Sequence, residues 1–295
     1  MTPAAIAPWA AASVGVQVGA AMVATRFVVD ESGPATLAMF RYAIGALCLL
    51  PVLRWQRQPM RFARGDILPI AGLGIVQFGL LIALLNYGLS FIPAARAALI
   101  FASFPLLTMV VAALLGRERL TLAKTSGVLL TMAGVALALG DKLLEPGRTG
   151  GFIGEAAVLL AALCGAVCSV LYRPYLQRYP TLPVGAFAML ASVGFLALLA
   201  AGEGAFSGWA GYSAGGWVAV LFIGVSSGIF YFVWLWCLRH TSPTRVTIFL
   251  GLSPVTAALF GVLLLDEPLT LPLLAGIAAL IAGLWLAHRP EGRTE

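Results

Sequence analysis

Long, predominantly apolar runs constrain this chain more than any other feature of its sequence. Examples are Ala4–Val29, Ile67–Ser90, Ala97–Leu115 and Trp217–Leu238. A helix needs about 20 such residues to cross the hydrocarbon core of a bilayer. The chain is 61% hydrophobic and only 10% charged, whereas soluble domains use about 25% charged residues. The runs therefore predict transmembrane spans, with the lipid bilayer as the solvent of the fold.

The predicted fold class is an all-α integral membrane protein. In lipid, only helices and closed barrels satisfy every backbone polar group, and these runs lack the alternation of barrel strands. Charged or Pro/Gly-rich turns separate ten transmembrane helices. The predicted spans are 4–28, 34–54, 67–90, 94–116, 121–140, 152–172, 182–201, 214–238, 243–265 and 270–287.

Basic residues are distributed unequally between the loops on the two sides. If the amino terminus is cytoplasmic, the opposite side keeps only Arg26, Arg96, Lys142 and Arg148, and most other arginines and lysines face the cytoplasm. The positive-inside rule then predicts that both termini lie in the cytoplasm. The net charge of +6 is explained by this topology, so no nucleic-acid partner is expected.

An internal repeat relates the two halves of the chain. Residues 89–137 align without a gap to residues 238–286, and the informative identities pair Arg96 with Arg245, Pro105 with Pro254, Glu118 with Glu267, Thr121 with Thr270, Gly127 with Gly276 and Gly134 with Gly283. Ten spans in two copies give five spans each, and the odd number predicts two inverted five-helix repeats. The expected units are residues 1–140, residues 150–289 and a cytoplasmic tail, 290–295. Inverted repeats are typical of secondary transporters.

The same residues carry a family resemblance. The duplicated P…E-x-L-T…G…G pattern, the Pro34…Arg41 pattern in the second span and the ten-span length resemble the EamA-type exporters of the drug/metabolite transporter superfamily. The resemblance covers nearly the whole chain, most clearly residues 85–140 and 230–290. Within that superfamily the chain is similar to amino-acid exporters of the YddG type, which implies export of aromatic and other apolar amino acids. Arg96, at the head of the fourth span, departs from the commoner family pattern.

Polar and aromatic residues inside spans are the candidate substrate-binding residues, because polar groups facing lipid are costly. In the eighth span Ser227, Phe230, Tyr231 and Trp234 have the spacing of a single helix face. This face predicts a pocket wall, with ordinary packing or an interfacial aromatic belt as the alternative.

Two other spans are expected to contribute to the same pocket. Gln17 lies between Gly15 and Gly19, where it either joins helices or contacts substrate. Gln77, with Leu81 and Leu84 on the third span, is expected to form the opposite wall.

Three further features have competing interpretations. Arg41 lies inside the second span without an acidic residue on its own helix. It either anchors a carboxylate substrate or extends to the outer surface, and the sequence favours the second interpretation. Glu118 and Glu267 directly follow span ends, which favours a role at helix termini over a role in ion coupling. Pro105 and Pro254 predict kinks in their helices.

The sequence argues against an enzyme. Its two histidines, His240 and His288, lie at span ends, and no pair of acidic residues lies within the membrane, so neither catalytic residues, a metal site nor a cofactor is predicted. No ring of charges indicates a channel, although a channel-like facilitator remains an alternative. Phosphate-bearing substrates would require more cations at depth, so an amino-acid-like small molecule fits better. Transport of other metabolites or drugs, and the oligomeric state, stay open.

Overall fold

The computed structural model describes residues 3–91, 97, 100–117, 121–138, 151–206 and 211–265, with single residues between 271 and 286. All regular secondary structure within these residues is helical. Arg96, Glu118, Glu267, the tail and most of the predicted span 270–287 lie outside the described residues, so the proposals made for them stay predictions.

The described helices follow the apolar runs in order. They are α1 (Pro3–Val28), α2 (Pro34–Trp55), α3 (Arg64–Gly74), α4 (Leu81–Phe91), α5 (Phe104–Leu114), α6 (Leu122–Ala138), α7 (Gly151–Arg178), α8 (Thr181–Gly202), α9 (Ala214–His240), α10 (Pro243–Thr247) and α11 (Leu252–Leu265). A π-helical segment, Ile75–Leu80, joins α3 to α4, and a 3₁₀ segment, Ile248–Gly251, joins α10 to α11.

Seven continuous helical segments in the described residues are long and apolar enough to span a bilayer. They are Ile6–Glu31, Pro34–Trp55, Arg64–Phe91, Ile153–Arg178, Thr181–Gly202, Ala214–His240 and Pro243–Phe260. Each coincides with a predicted span. Two more predicted spans contain the shorter apolar helices Phe104–Leu114 and Thr125–Gly134. The chain is therefore a multi-pass helical membrane protein, while the count of ten and the inverted repeat stay predictions.

The two paired prolines follow breaks in their helices. Pro105 is the second residue of α5, directly after a turn at residues 102 and 103. Pro254 lies in the first turn of α11, directly after the 3₁₀ segment. Proline fits the first turn of a helix because its missing N–H has no intrahelical partner there. Each proline thus lies in the first turn after an irregular segment, and the kinks themselves stay a prediction.

Carboxylates join helices at one end of the bundle. Glu203, after α8, accepts hydrogen bonds from the backbone N–H groups of Ala35 (2.9 Å) and Thr36 (2.8 Å) at the start of α2. Glu31 accepts a 2.8 Å bond from the N–H of Ser213, the residue before α9. Nearby, the Tyr212 hydroxyl donates to Ser32 Oγ (2.6 Å), and burial raises the pKa of Tyr212, which keeps this donor protonated.

A second polar cluster lies at the opposite end. Asp66, in the first turn of α3, accepts bonds from Arg178 Nη1 (2.7 Å) and from the Tyr179 hydroxyl (2.6 Å) at the end of α7. The backbone N–H of Ala63 donates to the same hydroxyl (3.1 Å). We call Asp66, Arg178 and Tyr179 the Asp66 cluster. It fixes the start of α3 against the end of α7.

Glycines allow close helix packing around the centre of the bundle. A Cβ atom on Gly15 would collide with the carbonyl oxygen of Phe249, and one on Gly19 with that of Ser253. Helix α1 therefore lies directly on the 3₁₀ segment and on the start of α11. Small residues permit such close approach in membranes, where packing and hydrogen bonds replace the hydrophobic driving force.

Candidate substrate-binding cavity

A cavity lies between α1, α2, the π-helical segment with α4, α5 and α9. About 90 Å³ of it is available to the centres of water molecules, whereas a single bound water needs roughly 10–15 Å³. The cavity brings together all seven candidate residues of the sequence analysis, which are Gln17, Gln77, Leu81, Ser227, Phe230, Tyr231 and Trp234. They come from three helices that are far apart in sequence.

The cavity extends from the middle of the bundle toward the Glu203 end. Arg41 lies about two helical turns from the start of α2, and Leu89 lies near the end of α4; both line the cavity. Toward the Asp66 cluster, the fully buried side chains of Tyr172, Leu176 and Leu235 belong to the apolar core. This core closes the cavity at that end.

Aromatic rings form one wall of the cavity. The ring of Tyr231 contacts that of Phe78, with 4.0 Å between centroids, and Phe78 contacts Tyr42 at 4.8 Å. Trp234 meets Phe104 edge-on at 6.3 Å. Such contacts fix the ring planes, so the cavity presents a preformed apolar surface to a bound molecule.

Arg41 is the cation of the cavity. Its side chain is only 9% exposed, and its Nε atom donates a 2.7 Å hydrogen bond to Ser227 Oγ on α9. Its guanidinium carbon lies 5.5 Å from the centroid of the Tyr42 ring. The expectation that Arg41 extends to the outer surface is therefore wrong, because Ser227 and the Tyr42 ring hold the side chain inside.

Gln17 connects two walls of the cavity. Its Nε2 donates a 3.0 Å hydrogen bond to Ser226 Oγ on α9, and Gln17 also lines the cavity. The two glycines beside it bring α1 against the 3₁₀ segment and α11. Both alternatives of the sequence analysis are therefore compatible with its position, since Gln17 joins two helices and borders the cavity.

Two amide side chains present oxygen atoms without partners among the described residues. Gln77 lies on the π-helical segment, and its Oε1 is buried without a hydrogen bond. Asn86 is 1% exposed, and its Nδ2 donates to the carbonyl oxygen of Pro34 (3.0 Å). That bond fixes the orientation of the Asn86 amide, so its Oδ1, also without a partner, is an acceptor. Segments of π-helix often occur at functional sites.

The predicted substrate-binding set omits several residues that line the cavity, which are Tyr42, Asn86, Phe101 and Phe104. Arg41, for which a carboxylate anchor is one of the two sequence interpretations, lines the cavity as well. Asn86 had a usable signal, because it is a polar residue inside a span. The three aromatic residues had none, since aromatic rings are common in any apolar helix.

An internal cavity within a bundle of apolar helices is typical of membrane proteins that carry small molecules. The chain belongs to the EamA-like transporter family, whose model matches residues 6–140 and 152–289. The protein is accordingly a transporter and not an enzyme.

Relatives from three domains of life have similar sequences over nearly the whole chain. A protein of Archaeoglobus fulgidus named as an uncharacterized transporter is 25% identical, covering 92% of this chain and 94% of its own. A probable terminal-alkyne amino-acid exporter of Streptantibioticus cattleyicolor is 28% identical, covering 96% and 93%. A chloroplastic WAT1-related protein of Arabidopsis thaliana is 28% identical, covering 93% and 67%. One crystal structure, 22% identical, shares the fold with a TM-score of 0.80 over 97% of this chain and 98% of its own.

Proposed function

We propose that this protein exports amino-acid-like metabolites, aromatic and other apolar amino acids in particular, from the cytoplasm by alternating access. The observation that carries the proposal is the cavity itself. It lies within the bundle, is closed by apolar packing toward the Asp66 cluster and combines an aromatic wall with few polar groups. Membrane sites of this type bind an apolar side chain and orient it through a small number of hydrogen bonds.

The proposed topology has ten spans in two inverted repeats, residues 1–140 and 150–289, with both termini in the cytoplasm of the inner membrane. Two separate matches of one family model, to residues 6–140 and 152–289, support the division into halves. Under this topology the Asp66 cluster faces the cytoplasm and Glu203 faces outward. The described conformation is then one whose cytoplasmic access is closed.

The proposed mechanism moves some helices against a scaffold. Sequence similarity between the halves is strongest in segments 94–140 and 243–287, which we assign to the scaffold. Helix α1 lies against the 3₁₀ segment and α11 through Gly15 and Gly19. A glycine surface has no side chains to interlock, so α1 is suited to move along this contact.

Two observations favour an amino-acid-like substrate. The aromatic wall of Phe230, Tyr231 and Trp234 is suited to apolar and aromatic side chains. The relative from Streptantibioticus cattleyicolor is named as a probable exporter of an amino acid, at 28% identity. Other small metabolites or drugs, and passage through a channel-like facilitator, are the alternatives that the experiment must separate.

Flux from sealed liposomes tests the proposal. Purified protein is reconstituted, the liposomes are loaded with radiolabelled phenylalanine, and efflux is measured against its concentration without ATP. We expect saturable downhill flux that external phenylalanine accelerates by exchange, because a carrier presents its site alternately to the two sides. Flux that does not saturate would indicate a channel, and the absence of flux above that of protein-free liposomes would refute amino-acid export.

A further inference from the structure

We propose that Arg41 and Ser227 bind the carboxylate of the substrate while the side-chain oxygen of Gln77 accepts a hydrogen bond from its ammonium group. The site would thereby select zwitterionic α-amino acids over amines and simple acids with the same side chain. The inference rests on the proposed function, since it assigns a substrate class to the same cavity.

The first argument is the charge of Arg41. The guanidinium is 9% exposed and lines the cavity, and no carboxylate among the described residues forms an ion pair with it. Its one described hydrogen bond uses Nε, toward Ser227. No described residue accepts a hydrogen bond from its two terminal nitrogens, which carry four N–H bonds. A cation inside a membrane requires an anionic or polar partner, and a substrate carboxylate supplies two acceptor oxygens in the geometry that guanidinium prefers.

The second argument is the unpartnered oxygen of Gln77. Gln77 Oε1 is buried without a donor among the described residues. A buried acceptor without a donor is unfavourable, so a donor bound in the cavity would relieve it. An ammonium group carries N–H donors and would satisfy this oxygen. Asn86 lies about 13 Å further along the same helical run, too far for one ammonium group to bond both amides.

The third argument is proximity. Tyr42 follows Arg41 and Phe78 follows Gln77 in the chain, and the rings of Tyr42 and Phe78 are 4.8 Å apart. The helical segments that carry Arg41 and Gln77 therefore pack against each other at the cavity, which both residues line, with the aromatic wall of α9 beside them. A zwitterion bound there would direct its side chain toward Phe230 and Trp234.

Three compounds with one phenyl ring separate the contributions. Phenylalanine carries both charged groups, 3-phenylpropionate only the carboxylate and phenethylamine only the ammonium. Binding is measured by calorimetry in detergent and transport by liposome flux. We expect phenylalanine to bind at least about tenfold more tightly than either analogue, because each lacks one set of charge-assisted hydrogen bonds.

Variants assign the contacts to residues. Arg41→Gln should weaken phenylalanine binding at least about tenfold, and Arg41→Lys should restore part of it. Arg41→Gln should not weaken phenethylamine binding, because it removes a positive charge that repels the ammonium group. Gln77→Leu should reduce the preference for phenylalanine over 3-phenylpropionate. Arg54→Gln, at the exposed end of the same helix, is the matched control and should change nothing. Thermal melting of each variant shows that it is folded.

The outcomes distinguish this inference from the proposed function. Unchanged phenylalanine affinity in folded Arg41→Gln, or equal affinity for phenethylamine and phenylalanine, would overturn the inference even if flux is saturable. Conversely, Arg41-dependent binding of phenylalanine without any flux would support the site and refute amino-acid export. If wild-type protein binds none of the three compounds, the inference is overturned as well.

Discussion

Gly45 and Gly228 face each other where α2 crosses α9, and a Cβ atom on Gly228 would stand only 2.8 Å from the carbonyl oxygen of Gly45. Ser227 is the neighbour of Gly228, and its hydroxyl accepts the hydrogen bond from Arg41 on α2. The short Arg41–Ser227 bond therefore depends on two helices that approach with no side chain between them.

The glycine contact predicts the effect of one added methyl group. Gly228→Ala should separate α2 from α9 and destabilise the protein by about 1–3 kcal/mol, the usual effect of overpacking, and it should weaken substrate binding by displacing Ser227. Thermal melting in detergent and calorimetric binding measure the two effects. Gly194→Ala is the control, because a Cβ there meets open space; it should leave stability unchanged or slightly higher. Equal melting of both variants would contradict the prediction.

A second prediction concerns Glu203, whose carboxylate caps the start of α2 although the two are far apart in the sequence. Its two oxygens accept bonds from the N–H groups of Ala35 and Thr36 and from the Thr36 hydroxyl (2.7 Å). A carboxylate at a helix amino terminus also interacts favourably with the helix dipole. Glu203→Ala should therefore lower stability by about 1–2 kcal/mol.

A nearby acidic residue serves as the control for Glu203. Asp30 contacts Arg26 at 3.7 Å, and both side chains are largely exposed, so Asp30→Asn should change stability by less than about 1 kcal/mol. Melting temperatures in detergent at low and high salt compare the two variants. An equal loss in both would show that Glu203 acts through surface charge and not as a cap.

Helical periodicity explains which part of the site could be predicted from the sequence. Ser227, Phe230, Tyr231 and Trp234 share one face of α9 because their spacing follows the helix repeat, and all four line the cavity. Apolar length likewise predicted the seven long spans, since lipid leaves the backbone few alternatives to a helix.

The contacts of Arg41 and Gln77 could not be predicted in this way. Arg41 stays inside because of Ser227, 186 positions away in the chain, and no local pattern encodes such a partner. Gln77 owes its direction to a π-helical segment, whose wider turn changes the face on which the following residues lie. Glu203 lies between two predicted spans, and its two hydrogen bonds to the backbone of α2 depend on tertiary structure that its position in the sequence does not encode.

The aromatic wall gives a third prediction. Tyr231→Ala combined with Trp234→Ala removes the ring contacts to Phe78 and Phe104 and should raise the KM for phenylalanine flux at least about tenfold. Trp236→Ala is the matched control, since this ring lies on the same helix but contacts His240 instead of the cavity. Unchanged transport in the double variant would show that the aromatic wall does not contribute to the proposed site.

The Asp66 cluster gives a fourth prediction, about access. Asp66→Asn with Tyr179→Phe removes charge-assisted bonds between the start of α3 and the end of α7, which should increase the population that is open at this end. A cysteine introduced at Leu176, fully buried in the described conformation, should then react severalfold faster with a water-soluble maleimide.

Two controls complete the labelling experiment. The four native cysteines are first replaced, and a cysteine at the neighbouring exposed Gln177 should react equally in both backgrounds. Labelling of intact cells with an impermeant reagent tests the topology, because the proposed orientation puts both positions at the cytoplasmic side. Reaction of the Gln177 position from outside the cell would show that the orientation is reversed.

The fifth prediction concerns energy coupling. Strict proton antiport usually requires a carboxylate that loads and releases a proton near the substrate, and neither aspartate nor glutamate lines the cavity in the described part of the chain. Phenylalanine efflux from liposomes should therefore persist without a proton gradient, with rates within about twofold of those measured with one. The measurement imposes pH differences of either sign, collapses them with an ionophore and clamps the membrane potential with potassium and valinomycin. Because bound phenylalanine is zwitterionic, it adds no net charge to the carrier, and flux should respond weakly to the potential as well. Efflux that stops when the proton gradient is collapsed would contradict the prediction and would require a coupling carboxylate elsewhere than in the described lining of the cavity.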